Sequence, residues 1–344
     1  MPLPRRGAGG KAIACLLDCG QHAAMLALLP LLLAQAAAAQ SAGRTAPDPR
    51  TPSAIVAAAP AGDWVAIAAD DLLVMELAPD AAGRSRRVVI QLVPVPFSQG
   101  WVANVRLLAR AHWWDGLSVN RVQDNYVAQW GDAEGEGAHP KPLPAGLRAM
   151  RESDYIVTGV VCQHHGCPPP VRFKPSEPLT STYGGVEGFA GGWPLAAGTA
   201  GGGATTVWPV HCYAMVGVGR NLSPDTGSGA ELYAVIGHAP RHLDRNIALV
   251  GRVVEGIEFL SSLPRGTEAL GFYKTAAERT AIRSVRLASE LPVGERPRLQ
   301  YLSTESASFT AYADARANRH DAFFIRPAGG ADVCNIPVPV RRAP

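Results

Sequence analysis

Eight short segments rich in valine, isoleucine and leucine recur along the chain, with turn-forming residues between them. The 344 residues include 36 glycines and 29 prolines, so turns must be frequent, and this composition disfavours a helical bundle. Short apolar runs bounded by such residues are typical of β-strands. The predicted strands are residues 71–77, 87–93, 117–123, 126–130, 212–218, 231–236, 248–253 and 282–287.

Two helical patterns lie among these strands. Ser98 precedes apolar residues at helical spacing, so it can cap a first helix that ends before Gly116. A second helical pattern covers residues 254–263. Many short strands with two helices predict a mainly β fold, a closed antiparallel barrel of about eight strands with two capping helices.

The N-terminus has the features of an export signal. Arg5, Arg6 and Lys11 precede an apolar run at residues 25–33, and small residues follow at 36–39. An uncleaved membrane anchor is the alternative, but the run is shorter than the roughly 20 residues that span a bilayer. We therefore expect a signal peptide at 1–39, a periplasmic mature protein and no stable membrane insertion after cleavage.

The remaining chain divides by composition. Residues 40–63 are rich in Ser, Ala, Pro and Thr, which predicts a flexible linker. Residues 64–288 hold all the predicted strands, interrupted at 133–209 by a glycine- and proline-rich stretch that we interpret as a loop insertion. Residues 289–344 form a C-terminal extension with one helix-like segment at 305–319.

Four cysteines lie beyond the predicted signal, namely Cys162, Cys167, Cys212 and Cys334. In an oxidising compartment they allow three pairings, and we expect at least one disulfide among them. The Cys162–Cys167 cluster with its two histidines also fits zinc, but its spacing and the lack of a second ligand pair favour a disulfide. A Cys212–Cys334 bond would tie the extension to the barrel if the Cα atoms lie within about 7 Å.

The overall charge limits the possible partners. A net charge of +3 is too small to indicate binding to nucleic acid or to an anionic membrane. A hydrolase is poorly supported, because no Ser, His and Asp set has a recognisable context. Asp225-Thr-Gly resembles an aspartic protease signature, but such enzymes need two cooperating aspartates and the chain has one copy.

Two stretches about eighty residues apart carry the motifs that are most informative about the function. The first, residues 118–132, places Arg121, Tyr126 and Gln129 within nine residues. The second contains Ala214-Met-Val-Gly, Gly229-Ala-Glu-Leu-Tyr, His242-Leu-Asp and Val250-Gly-Arg-Val-Val-Glu-Gly. Together they resemble the motifs of the cyclophilin-type peptidyl-prolyl cis-trans isomerases.

The resemblance implies a role for each matching residue. Arg121 corresponds to the catalytic arginine of the family and Gln129 to the glutamine that works with it. The positions implied for substrate binding are Tyr126, Val127, Met215, Glu231, Tyr233 and Leu243. The resemblance also implies proline-containing polypeptides as substrates, with no cofactor and no metal.

The chemistry of proline isomerisation explains these residue types. An X-Pro bond rotates over a barrier of roughly 18 to 20 kcal/mol, which amide resonance creates. The catalyst must hold the proline ring and stabilise the twisted bond better than the planar one. A permanently charged arginine can donate a hydrogen bond to the imide nitrogen, whose lone pair is available only when resonance is broken.

Four positions depart from the family pattern. Trp130 replaces a glycine and is expected to narrow the groove, and Glu231 replaces a glutamine and is expected to pair with Arg121 or to select basic peptides. His242 and Ile247 replace a tryptophan and a histidine. Two hypotheses follow: an isomerase that assists the folding of exported proteins, or a peptide-binding or chaperone module with the same fold and weak catalysis.

Overall fold

The computed structural model describes residues 51–158, 161–162, 171–172, 174–175, 183, 185–199 and 205–344. The predicted signal peptide, the first part of the predicted linker and Cys167 lie outside these residues, and so does the predicted Cys162–Cys167 pairing. Within the described ranges, no helix combines the length and the apolar character needed to cross a membrane.

Eight antiparallel strands close into a barrel, as predicted. In chain order they are β1 Leu72–Leu77, β2 Arg86–Leu92, β3 Ser118–Val122, β4 Val127–Gly131, β5 Met215–Val218, β6 Leu232–Val235, β7 Leu249–Glu255 and β8 Thr280–Leu287. Around the barrel the order is β5-β6-β4-β3-β8-β1-β2-β7. Each strand overlaps one of the eight predicted segments, so the mainly β barrel is confirmed.

The strands β1 and β2 are apolar on both faces because both faces are covered. Leu73 and Ile90 point into the main core, whereas Leu72 and Val89 belong to a second apolar cluster with Leu299 of the C-terminal extension. This double burial explains the nearly continuous apolar sequence of these strands, where a half-exposed strand would alternate.

The described residues include four α-helices besides the barrel: α1 Pro52–Ala58, α2 Gln99–Arg110, α3 Glu258–Ser261 and α4 Ala307–Ala317. The helix α2 packs against β7 and β8. Ser98 lies at its N-cap position but makes no side-chain capping bond and has a φ of 51°, which differs from the expected cap. The second predicted helix is reduced to α3, because β7 continues to Glu255 and Gly256 then turns the chain with a φ of 86°.

Short 3-10 helices connect many of these elements. They are Ala61–Asp63, Ala69–Asp71, Glu152–Tyr155, Arg241–Leu243, Ala269–Gly271, Ala276–Glu278, Ala288–Glu290, Val293–Glu295 and Val333–Asn335. The one at Arg241–Leu243 places Leu243 and Asp244 beside β6, and the one at Ala269–Gly271 lies next to β3. Both therefore bring loop residues to the same part of the barrel.

The insertion contains a sheet, which corrects its interpretation as a loop. Five antiparallel strands lie in the order Val157–Thr158, Thr205–Pro209, Trp193–Thr199, Val186–Ala190 and Lys174–Pro175. A separate parallel pair joins Val161–Cys162 to Val171–Arg172. The hairpin turns at Gly191 and Gly192, both with positive φ, and its strands bury Phe189, Trp193 and Leu195 in the main core. Burial of these apolar side chains stabilises strands that are individually short.

The C-terminal extension is folded onto the rest of the chain. A three-stranded sheet joins Trp64–Ala66, Leu299–Leu302 and Val340–Arg342. The helix α4 packs against α1, so the described part of the predicted linker is helical and partly buried, contrary to the expected flexible segment. A disulfide joins Cys212 to Cys334 with the Cα atoms 5.0 Å apart, a pairing that the sequence left open.

Candidate active site

Four residues form one row across four adjacent strands of the barrel. Arg121 on β3 is paired in register with Gln129 on β4, and Gln129 is paired with Tyr233 on β6. Tyr233 is in turn paired with Gly217 on β5. Paired residues of neighbouring strands project to the same face of a sheet, so this row places a guanidinium, an amide and a phenol side by side.

The Arg121 guanidinium donates three hydrogen bonds to residues that the structure describes. Its Nε donates to the carbonyl oxygen of Leu270 at 2.8 Å, and its Nη1 donates to Oε1 of Gln129 at 3.1 Å. Its Nη2 donates to the side chain of Gln123. These bonds fix the plane of the guanidinium, and partial burial lowers the pKa of Arg121 without removing its charge.

Two aromatic rings lie against the same guanidinium. The Arg121 Cζ is 5.7 Å from the ring centre of Tyr126 and 5.3 Å from that of Phe272. Phe272 forms an isolated β-bridge with Arg121, and the next residue, Tyr273, donates its N–H to the carbonyl of Asn120. No pattern in the sequence predicts Phe272 and Leu270 as site residues, because their segment reaches β3 only through these long-range contacts.

An apolar cluster adjoins the row, on the face opposite the barrel core. Its buried members are Val127, Tyr233 and Val235, and the partly buried residues Tyr126, Leu243 and Ile247 pack against them. Tyr126 also stacks on His242, with ring centres 6.3 Å apart and planes inclined by 12°. Four of the side chains implied for substrate binding, those of Tyr126, Val127, Tyr233 and Leu243, are therefore brought together beside Arg121 and Gln129.

The ring of Tyr233 lies over the backbone of Gly217, its partner on β5. A Cβ atom added to Gly217 would stand 2.3 Å from both Cζ and Oη of Tyr233, so only glycine leaves room for the ring. Tyr233 is 4% exposed, and its hydroxyl lies 3.0 Å from Nε2 of His211. Burial raises the pKa of this phenol well above its ordinary value, which keeps the hydroxyl protonated.

A buried polar chain continues from His211 away from the site. Its Nδ1 and its backbone N–H both contact Oδ1 of Asp244, each at 2.9 Å. The other carboxylate oxygen of Asp244 accepts a bond from Nε of Arg241 at 2.6 Å, and Nη2 of Arg241 lies 2.8 Å from Glu187 in the insertion sheet. The sequence offers one signal for this chain of contacts, a histidine directly before Cys212, and that pair alone does not predict a bond to Tyr233.

Glu231 lies beside Gln129 and does not pair with Arg121 as the sequence analysis expected. Its Oε1 accepts the backbone N–H of Asp132 at 2.6 Å, and the carboxylate occupies the space that a side chain at Gly131 would fill. Burial raises the pKa of Glu231 to about 7, although bonds from Asp132, Asn120 and Gln129 favour the ionised form. Glu231 lies opposite Gly131 of β4, whereas Arg121 lies opposite Gln129 on the other side of the same strand. The two charged side chains are therefore offset along β4 and do not face each other.

Two further residues lie elsewhere than the sequence analysis expected. Trp130 is 1% exposed and packs in the main core, because alternation along β4 turns it away from the face that carries Gln129. It therefore does not narrow the groove. Met215 is also buried in the main core and is not part of the apolar cluster beside Arg121.

The comparisons with known proteins agree with the barrel fold. The family model for cyclophilin-type peptidyl-prolyl cis-trans isomerases matches residues 87–286. The crystal structure of the cyclophilin AquaCyp293 from Hirschia baltica superposes with a TM-score of 0.62 at 19% identity, covering 84% of this chain and 96% of that one. No curated protein matches the sequence.

A second solved structure is much less similar. It is a cyclophilin-type isomerase of Cryptosporidium parvum, determined in the presence of the dipeptide Ala-Pro. Its TM-score is 0.34 at 8% identity, and the match covers 62% of this chain and 98% of that one. The fold assignment therefore rests on the family match and on the bacterial cyclophilin.

Proposed function

We propose that this chain, which belongs to the cyclophilin-type peptidyl-prolyl cis-trans isomerase family, isomerises X-Pro bonds in exported proteins while they fold. The observation that carries the proposal is the register row of Arg121, Gln129 and Tyr233 beside an apolar cluster. Uncatalysed rotation of an X-Pro bond takes on the order of 10 to 100 s, which is slow enough to limit folding.

Arg121 supplies the hydrogen bond to the twisted imide. A guanidinium has five N–H groups. Three of them bond to described residues, which leaves one N–H on each of Nη1 and Nη2 for a substrate. The bonds to Leu270 and Gln129 hold the guanidinium in place, so little reorganisation is needed when the imide nitrogen becomes pyramidal.

The apolar cluster holds the proline ring beside this donor. Tyr126, Tyr233 and Leu243 provide the walls, and Val127 is a buried member of the same cluster. Gln129 is positioned next to Arg121, where its amide can bond the carbonyl of the residue before proline. Because the rotation breaks no covalent bond, this arrangement needs no nucleophile and no proton transfer.

We place the protein in the periplasm on the strength of the N-terminal sequence. A basic segment, an apolar run and small residues at 36–39 follow in the order that signal peptidase substrates share. The test is fractionation of expressing cells with N-terminal sequencing of the envelope form. A new terminus near Gln40 supports the proposal, and an envelope protein that still begins at Met1 overturns it.

The decisive test of function is an isomerisation assay. NMR exchange spectroscopy on a short Ala-Pro peptide should show cis-trans exchange that the purified protein accelerates and Arg121→Ala does not. Acceleration by wild type alone identifies the row as the catalytic site. No acceleration, together with measurable peptide binding, identifies instead a peptide-binding module of the same fold. That second function is favoured by Glu231, which stands where the family has a glutamine.

A further inference from the structure

The hydroxyl of Tyr233 makes a hydrogen bond inside the protein. It lies 3.0 Å from Nε2 of His211, and the two rings are nearly parallel, with planes inclined by 16°. His211 is fully buried and Tyr233 is nearly so. His211 is the hydrogen-bond partner of this hydroxyl among the described residues, and a buried hydroxyl that loses its partner is costly, so this contact restricts where the phenol ring can lie.

The surroundings of His211 fix the direction of the bond. Asp244 accepts from the backbone N–H of His211 and lies 2.9 Å from its Nδ1, so Nδ1 carries the ring proton. Burial lowers the pKa of His211, which keeps the imidazole neutral and leaves Nε2 as an acceptor. Tyr233 therefore donates its hydroxyl proton to His211.

Asp244 is itself held from the other side. Arg241 donates from Nε to Oδ2 of Asp244 at 2.6 Å, and its other nitrogens lie 2.8 Å from Glu187 and 3.8 Å from Asp332. Glu187 belongs to the insertion sheet, and Asp332 lies two residues before Cys334, which is bonded to Cys212. His211 is thus anchored at its ring and, through the neighbouring disulfide, at its backbone.

We propose that His211 is a positioning residue of the proline site, which fixes the Tyr233 ring across Gly217 so that the ring forms a rigid wall of the pocket. The inference rests on the proposed function, because it assigns the Tyr233 ring a contact with the substrate proline. A rigid wall binds the planar and the twisted forms of the substrate equally well. Loss of this wall therefore raises KM more than it lowers kcat.

The test is a cycle of four proteins: wild type, His211→Ala, Tyr233→Phe and the double variant. Steady-state kcat and KM are measured on the same proline peptide, with the folded fraction of each protein taken from its circular dichroism. We expect His211→Ala to raise KM about tenfold, because it leaves the Tyr233 hydroxyl without an acceptor. Tyr233→Phe should raise KM two- to threefold, about as much as the double variant.

The rescue separates positioning from simple structural support. Adding Tyr233→Phe to His211→Ala removes the unpaired hydroxyl, so KM should recover toward the value of Tyr233→Phe alone. If His211→Ala only reduces the amount of folded protein, it will lower apparent kcat and leave KM unchanged, both with Tyr and with Phe at position 233. That result overturns the proposal. Equal KM increases from His211→Ala in the Tyr and Phe backgrounds overturn it as well.

The remaining outcomes are also decisive. If no variant at His211 folds, the comparison of wild type with Tyr233→Phe decides, and an unchanged KM there contradicts the inference. If His211→Ala fails to fold but the double variant folds, the comparison of wild type with Tyr233→Phe decides in the same way. A wild type without isomerase activity contradicts the proposed function itself, whereas an active wild type with an unaltered His211→Ala variant contradicts only the role of His211.

Discussion

Arg121 and Gln129 face each other across β3 and β4, and Nη1 of the arginine donates to Oε1 of the glutamine at 3.1 Å. This bond sets the orientation of both side chains. The amide oxygen of Gln129 is turned toward the guanidinium, so its NH₂ group points the other way, where Glu231 and a substrate carbonyl can both accept from it. The pair therefore offers donors from both residues to a single X-Pro unit.

Arg121→Ala should lower kcat/KM by tenfold or more, which corresponds to a loss of about 1.4 kcal/mol or more of transition-state stabilisation. The donor to the imide nitrogen is removed, while the apolar cluster stays in place. The matched control is Arg283→Ala, because Arg283 is an exposed arginine on β8. A variant at Arg121 that keeps the wild-type rate would place the catalytic site elsewhere.

Glu231→Gln should raise kcat/KM on a neutral proline peptide, and most clearly above about pH 7. Ionised Glu231 engages Gln129, which reduces the availability of its amide to the substrate. Since the pKa of Glu231 is about 7, the wild-type rate should fall as pH rises through that value, whereas the rate of the variant should stay level. Parallel pH profiles of the two proteins would contradict this role.

The same carboxyl group should make stability depend on pH. Its pKa rises from 4.5 in the unfolded chain to about 7 in the folded protein, so the folded state binds the proton more tightly. This contribution, roughly 3 kcal/mol at most, is complete below pH 4.5 and is lost as pH rises through about 7. Urea unfolding at several pH values should show this decline in the wild type and a smaller one in Glu231→Gln.

The control for this measurement is Glu136→Gln, since Glu136 is an exposed residue of the insertion. The free energy of unfolding of Glu136→Gln should depend on pH as that of the wild type does. If Glu231→Gln also shows the wild-type pH dependence, burial does not shift the titration of Glu231 in the folded protein.

The barrel and most of the site could be predicted from the sequence, because both depend on short-range patterns. Alternation and turn residues mark each strand, and Arg121, Tyr126 and Gln129 lie on one hairpin whose register follows from its length. The same alternation shows why the expectation for Trp130 was wrong, since neighbours on a strand project to opposite faces.

Other parts of the site depend on long-range contacts that a sequence pattern does not encode. Phe272 reaches Arg121 from a loop 151 residues further along the chain, and His211 meets Tyr233 from outside any barrel strand. The insertion sheet has short strands joined at Gly191 and Gly192, which resemble a loop until their apolar side chains are buried.

Removal of the Cys212–Cys334 disulfide should destabilise the protein. The bond joins residues 122 positions apart, and closing so long a loop in the unfolded chain is worth on the order of 4 to 5 kcal/mol in the chain-entropy model. Replacing both cysteines by serine should therefore lower the free energy of unfolding by a few kcal/mol in a urea titration. The control is the Cys162→Ser and Cys167→Ser pair, which leaves this bond intact. Equal stability of both variants would contradict the prediction.

Gly217→Ala should weaken substrate binding by displacing Tyr233. The added Cβ would stand 2.3 Å from the phenol Cζ and Oη, a distance that no pair of unbonded atoms can keep, so the ring must leave its place across β5. We expect KM for a proline peptide to rise several-fold and the bond between Tyr233 and His211 to break. The matched control is Gly62→Ala, because nothing lies within 4 Å of a Cβ at that position. An unchanged KM in Gly217→Ala would show that the position of the Tyr233 ring does not limit binding, whereas a rise in both variants would point to a general loss of folded protein.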